Sequence, residues 1–571
     1  LPDAGVHKIQ FSIFGVIPPL PIRPSRGVTG GARSGKDGVF LPGYRAWLPD
    51  SGESLVAYSV QATVPKPYRV AGTGRSEDKS SNVLVLSAGK AVELPSLFAG
   101  PYQITEKLSK NIRLRTYFHK GLEGLANDYL KISENYIQRY SEKIGPYPYP
   151  DFHVISAPLP VGLGFPNLTY VGRRVLALPF MRGRSLAHEV LHNWWGNGVA
   201  IGYDGGNWAE GLTTFMADYA LAEDKGRDAA REMRLGWLRD FAALPRERDI
   251  PVIHFFGKRH DASQVIGYGK IASIFYMLRT NVGRKIFDRS LQLFWSRHKF
   301  STARWSDIKT VFEETSGRSL AWFFDQWLET PGAPSLTLKS VTQDKRNGQH
   351  QVSITVTQQE PFYELNVPIR IATANSLVKK RLEIKGGTTS VTYRLDAKPH
   401  AVSIDPDFEL FRRLLPSETP PILRDVTLAS SVAVVLATDN AEMMGAATEL
   451  ARRLLDVRGQ EPIDDLSQLG GKPALIIGSR AKISRIIDQI KWSDKFRQPS
   501  EQGSTSAWVR RRADGQPVLI VETKDAASIT AVLRALPHYR SRSFVVFKGR
   551  RAITKGVWKN IGSPLTKRLE K

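Results

Sequence analysis

The stretch 185-SLAHEVLHNW-194 decides how the rest of the chain is read. His188 and His192 are four residues apart, so on an α-helix both imidazoles leave one face, one turn above the other. That is the spacing two side chains need to share one metal ion. Glu189 follows the first histidine, which projects its carboxylate beside the ion, placed to move a proton instead of ligating. H-E-x-x-H on a helix is the pattern of a zinc site with a general base.

A lone match arises by chance in about 1 % of basic chains this long, the alternative being a helix with two unrelated histidines. A zinc site open to chemistry also needs a third protein ligand and a position for water. The stretch 207-NWAEGLTTFMADYALAED-224 reads as a second helix, and it carries Glu210. Asn207 and Glu210 also fit a capping box, an N-cap residue with an N3 glutamate. Lying downstream of HEVLH, with the loop WGNGVAIGYDGG to fold it back, Glu210 is read as the third ligand.

HEVLHNWWGN followed by NWAEGLTTF resembles the zinc aminopeptidase family of membrane alanyl aminopeptidase and leukotriene hydrolase, the gluzincins with H-E-x-x-H and a downstream Glu. The resemblance continues upstream through IGPYPYPDFHVISAPLPVGLGFPNLTYVG and downstream through VIGYGKIASIFYMLR and FFDQWLETPGAPSL. It covers roughly residues 40–410 and is densest over 144–334. It implies one Zn2+ per chain on His188, His192 and Glu210, with Glu189 as the acid/base and Tyr268 as the phenol that stabilises the oxyanion. Thr214, one turn beyond Glu210, is a candidate to orient a ligand. The segment 161–170 is expected to form an edge strand beside the metal, with Gly162, Gly164, Phe165 and Asn167 facing substrate.

Two departures from the family pattern stand out. The interval between His192 and Glu210 is one residue shorter than usual, which a loop can absorb. More consequential, the family's G-x-M-E-N-type segment carries a glutamate that grips the substrate's free amino group, and alignment puts Gly164 there. No Asp or Glu occurs in 154–172. The family's N-terminal segment, with its second amine-binding polar residue, is not recognisable either. The reading is therefore a zinc-dependent metallopeptidase of aminopeptidase-like fold, acting on peptides or oligopeptides, with exo or endo specificity open. The alternatives are a true aminopeptidase that uses another acid for the amino group, and a non-catalytic zinc-bearing peptide-binding or scaffold protein. Gly164→Glu is expected to shift preference toward free amines.

At 571 residues the chain should hold three or four domains. Hydrophobic content of 42 % and charged content of 24 % are ordinary for a globular protein. No apolar run reaches a membrane span; FSIFGVIPPLPI is broken by prolines. Net charge is +25, but it is diffuse: residues 421–571 hold 26 Lys or Arg against 15 Asp or Glu along their length. No nucleic-acid module is visible, so the excess reads as solvated basic faces or attraction to an anionic envelope surface. Zero cysteines exclude disulfides and thiolate metal sites and suit an oxidising bacterial periplasm or secretion. A first residue of Leu1 without Met reads as a processed product or an engineered fragment, with any signal peptide out of view. Nothing in the chain fixes an oligomeric state.

The expected fold class is multidomain α+β. Residues 1–38, rich in Pro, Gly and Arg, are a lead-in segment; 39–118 alternate apolar and polar residues as an N-terminal β domain. Residues 119–334 form a mostly helical, thermolysin-like zinc catalytic domain, ended by TPGAP. Residues 335–415 read as a small β-sandwich. After the linker LPSETPP, 424–571 carry short apolar strands (VAVVLATD, PALIIGS, PVLIVET, SFVVFKG) with helical patterns between them, a C-terminal α/β domain with a mostly parallel sheet. No candidate ligand lies beyond Pro334, so a chain ending near Ser417 is expected to fold and hold zinc.

Overall fold

The computed structural model describes residues 10, 12–20, 31–43, 47–48, 55–159, 162–257, 261–346, 348–456, 459, 461–463, 466–493, 498–499, 503–559 and 562–569. It divides into two compact units, Leu1–Gly202 with Leu212–Leu221 and Lys285–Thr315, and Tyr203–Gly211 with Ala222–Arg284 and Ser316–Lys571. Most of the lead-in segment, and Val161 of the expected edge strand, lie outside the described residues.

The first unit is built on a five-stranded mixed sheet. Its order is Gly162–Phe165, Leu168–Gly172, Asp151–Ala157, Ile112–Phe118, Gln103–Ser109. Asp151–Ala157 is flanked on both sides by parallel partners and every residue in it is buried, which is why DFHVISA lacks strict alternation. Gln103–Ser109 and Ile112–Phe118, expected within the N-terminal β domain, pair into this sheet instead. Alternation identifies a strand but not its partner. The strands Val56–Thr63, Val83–Val92 and Arg75–Ser80 make one antiparallel sheet, and Arg33–Gly35, Gly38–Leu41, Leu97–Gly100 and Arg69–Gly72 another. Helix Ala126–Lys143 buries a stripe of Tyr129, Leu130, Ser133, Ile137 and Tyr140 at helical spacing. The chain then leaves the helix at Gly145, φ +145°, where a Cβ would lie 2.8 Å from Trp295.

The second unit contains helices Arg227–Ala242, Ile271–Val282 and Ala321–Leu328, followed by a β-sandwich. One sandwich sheet is Leu336–Arg346, Gln349–Gln358, Thr388–Leu395; the other is Leu377–Ile384, Leu365–Thr373, Pro399–Ile404 and Thr566–Arg568. That last strand comes from the far end of the chain, so the C-terminal segment closes the sandwich instead of staying with the α/β domain. The α/β domain has six strands in the order Ala433–Ala437, Ala474–Ser479, Pro517–Thr523, Thr505–Arg511, Phe544–Lys548, Arg551–Gly556. Its first three strands pair in parallel, whereas Thr505–Arg511, Phe544–Lys548 and Arg551–Gly556 pair antiparallel with their neighbours. Among the described residues no helix is long and apolar enough to cross a membrane.

Candidate metal centre

The helix Leu186–Leu191 is entered through a wide turn, Met181–Ser185, with one extra residue per turn of the π type. His188 and His192 leave the same face, ring centroids 4.8 Å apart. The Nδ1 of His188 meets the Asp218 carboxylate at 2.8 Å, and the Nδ1 of His192 meets the Trp195 carbonyl at 2.9 Å. A carbonyl oxygen can only accept, so Nδ1 of His192 carries the hydrogen and Nε2 presents the lone pair; the carboxylate selects the same tautomer in His188. Both rings are thus held as metal-ligating imidazoles are held, by a partner on the far nitrogen.

Glu210 lies in the first turn of the next helix, Ala209–Thr213. Asn207 caps it, its Oδ1 accepting the N–H of Ala209 at 3.0 Å and of Glu210 at 3.3 Å. Half of the capping box therefore exists, while the Glu210 carboxylate points to the histidines. Ligand atoms of His188, His192 and Glu210 all lie within 4.8 Å of one another. Two neutral imidazoles and a carboxylate are a catalytic zinc donor set, and ions of this kind bond such atoms at about 2.0–2.2 Å. The residues fit the ion, and the short interval between His192 and Glu210 does not keep them apart.

Close packing sets Glu210 in place. A Cβ on Gly211 would lie 2.0 Å from Cγ2 of Ile271 and 3.1 Å from the Gly267 carbonyl, so only glycine lets this helix approach the turn Val265–Lys270. Gly267 is constrained in the same way, since its Cβ would lie 2.0 Å from the Phe255 ring. Tyr268 is half-buried in this second wide turn, its ring 6.4 Å from Phe255 and edge-on to it. Two residues on, Lys270 is fully buried and donates to the carbonyls of Gly332 at 2.9 Å and Thr330 at 3.4 Å. Burial lowers the Lys270 ammonium to about 8; nearby Asp249 opposes that shift and Arg413 adds to it.

Of the four residues expected to face substrate, the structure exposes two. Among the described residues Gly162–Phe165 is the edge strand of its sheet, paired only with Leu168–Gly172, and Gly162 and Gly164 are exposed. A Cβ on Gly164 would stand 3.0 Å from Oε2 of Glu189, so this position lies directly over the acid/base candidate. A side chain placed there asks the Glu189 carboxylate to give slightly, and a glutamate adds a like charge beside it, so Gly164→Glu acts on the acid/base candidate as well as on amine preference. Phe165 is buried among Phe40, Phe98 and Tyr170. Asn167 is fully buried at φ +60°, its carboxamide occupied by Gly74.

The sequence profile of the peptidase family M1 domain matches residues 184–327. Tricorn protease-interacting factor F2 of Thermoplasma acidophilum is 26 % identical over 229 residues, 37 % of this chain and 29 % of that protein. Aminopeptidase N of Escherichia coli is 28 % identical over 189 residues, 31 % of this chain and 20 % of that protein. The chain thus carries, over residues 184–327, a stretch similar to the peptidase family M1 domain. It spans under a third of the length of these two relatives. A crystal structure of Legionella pneumophila aminopeptidase A with aspartic acid shares the fold, with TM-score 0.54 and 16 % identity over 74 % of this chain and 52 % of that one.

The matched stretch holds His188, Glu189, His192, Glu210 and Tyr268, whereas the edge strand lies upstream of it. It also contains a residue that sequence reasoning missed. Asp218 partners His188, and Arg184 donates to its other oxygen at 2.5 Å. Burial alone raises the Asp218 carboxyl, but His188 and Arg184 outweigh it and hold the group below its usual range. In a regular α-helix Asp218 would sit about 80° around from Glu210. The wide turn Thr214–Tyr219 absorbs one residue and brings it back to that face.

Proposed function

We propose that the chain is a zinc-dependent peptidase of family M1 that hydrolyses peptides lying extended along Gly162–Phe165. The observation that carries this reading is the convergence of His188, His192 and Glu210 within 4.8 Å, with Glu189 set against the edge strand. Zinc bound there supplies Lewis acidity and makes water acidic enough to attack near neutral pH, at about pKa 7. Asp218 and the Trp195 carbonyl hold the two imidazoles in the ligating tautomer. Glu189 takes the proton of the attacking water and returns it to the leaving nitrogen. The Tyr268 hydroxyl donates to the oxygen on which charge develops.

For specificity we propose that the substrate chain continues past Gly164. Support comes from the missing Cβ at 164, from open space around Gly162, and from the lack of Asp or Glu in 154–172. A charged hydrogen bond to a free amine contributes about 1.5–3 kcal/mol, or about 10–150-fold in rate or affinity. Paired free and N-acetylated oligopeptides test this, together with zinc analysis of the purified protein. Rates within about threefold are expected if no carboxylate grips the amine. A preference for the free amine above about tenfold replaces this reading with a true aminopeptidase that borrows an acid from elsewhere. We also place the protein in a periplasmic or secreted setting, on its lack of cysteine, with its basic excess drawn to an anionic envelope surface. Fractionation of the native host at low and high salt tests both.

A further inference from the structure

We propose that Asn193 is a positioning residue that fixes the register of Gly162–Phe165 against the backbone of Glu189. The proposal rests on the peptidase reading above, because it concerns how that strand presents substrate. Asn193 directly follows His192 and is fully buried. Its Nδ2 donates to the carbonyls of Val190 at 3.0 Å and Glu189 at 3.5 Å, at the end of the helix that carries the acid/base. Its Oδ1 accepts the N–H of Asn167 at 2.8 Å and the Tyr147 hydroxyl at 3.2 Å.

Asn167 is the turn between Gly162–Phe165 and Leu168–Gly172. Its own carboxamide accepts the Gly74 N–H at 2.7 Å and donates to the Gly74 carbonyl at 3.3 Å. Two amides in series therefore run from the N-terminal β strands, through the hairpin turn, to the peptide unit of Glu189. Only a carboxamide of this size offers a donor on one side and an acceptor on the other. An apolar residue at 193 would orphan the buried Asn167 N–H and release the helix from the turn.

The consequence falls on the site. Gly164 is three residues before the clamped turn, and Glu189 is four before Asn193. With only 3.0 Å between a Cβ at 164 and Oε2 of Glu189, a small slip of the strand moves any paired backbone relative to the carboxylate. An extended oligopeptide, which takes several strand hydrogen bonds, depends on that register. A single-residue arylamide has at most one residue to pair.

The test uses the full chain loaded with zinc, as wild type, Asn193→Asp and Asn167→Gly. Asn193→Asp keeps shape and acceptor but loses both donors. Asn167→Gly accepts the +60° φ and keeps the backbone N–H to Asn193, losing only the Gly74 arm. Either variant is expected to hold one zinc per chain. Its KM for an extended oligopeptide should rise about tenfold with kcat within about threefold, while KM for the arylamide changes by less than about twofold. Equal loss on both substrates, loss of zinc, or no change overturns the proposal. If Asn193→Asp fails to fold, Asn167→Gly decides it. A wild type that cuts neither substrate overturns the peptidase reading; the clamp is then read from hydrogen exchange of amides 162–170. Exchange at least about tenfold faster in the variants supports the clamp, and unchanged exchange overturns it.

Discussion

Glu418→Ala is expected to destabilise the junction of the β-sandwich and the C-terminal domain far more than its place in a proline-containing linker suggests. Arg412, Asp405 and Glu418 are all buried at 1 % exposure or less. Arg412 donates Nη1 and Nη2 to the two oxygens of Glu418 at 2.8 and 2.9 Å, and Nε to Asp405 at 2.9 Å. Burial pushes Asp405 up to about 6 despite Arg412; Glu418 stays below its usual range because Arg412 and Ser563 outweigh burial. Removing Glu418 takes two of the three carboxylate hydrogen bonds from a buried guanidinium. It also leaves the Leu415 N–H and the Ser563 hydroxyl without this acceptor. Breaking a buried ion pair costs about 3–5 kcal/mol; the remaining Asp405 contact sets the figure near 3. Thermal unfolding should fall by about 2–5 °C, and limited proteolysis should open the chain near residues 412–424. A midpoint within about 1 °C of wild type and unchanged cleavage would refute the reasoning. The same contacts reverse the expectation that a chain ending near Ser417 folds: that cut removes Glu418, Ser563 and the sandwich strand Thr566–Arg568 together.

Glu189→Gln should keep its zinc yet lose peptide hydrolysis by about 100-fold or more, and Tyr268→Phe should lower kcat by about the same factor with KM little changed; turnover near wild type removes that residue from the mechanism. Gly211→Ala places a methyl 2.0 Å from Ile271, so it should cost about 1–3 kcal/mol and reduce zinc stoichiometry, read by metal analysis and thermal unfolding. The folded protein releases the Lys270 proton near pH 8, while the unfolded chain keeps it to about 10.5. The unfolded state then binds more protons, so this group makes stability rise with pH between those values. Lys270→Met should flatten that rise, and an identical slope would refute it.

What could be read from the residues follows from how each feature is encoded. The pair His188 and His192, with Glu189, was legible because helical spacing alone brings them together; Glu210, on the next helix, was read from its place downstream of HEVLH and the loop that folds it back. Asp218 was not, because its face depends on a wide turn that leaves no mark in a 3.6-residue pattern. The strand Thr505–Arg511 was missed because arginines stand inside it: Arg510 is buried with its guanidinium 4.4 Å from the Trp492 ring, so a core strand looks like a charged surface. Thr566–Arg568 exposes all three residues and offers no apolar signal at all. Asn167 was taken for a substrate contact because a turn between two strands near a metal looks accessible in sequence, and burial is set by what packs over it.

The wide turn Thr214–Tyr219 gives the helix that bears Glu210 one residue of slack. Deleting a single residue there lets the segment relax into an ordinary helix with no loss of backbone bonding, so the chain still folds. Asp218 then stands seven residues from Glu210 in a regular helix, about 20° around from it, and keeps its face toward His188. In the other direction, an alignment that forbids gaps inside helices pairs Asp218 with the wrong position in any relative that lacks the extra residue. The count of residues between functional groups on this helix is thus a poor guide to which of them meet.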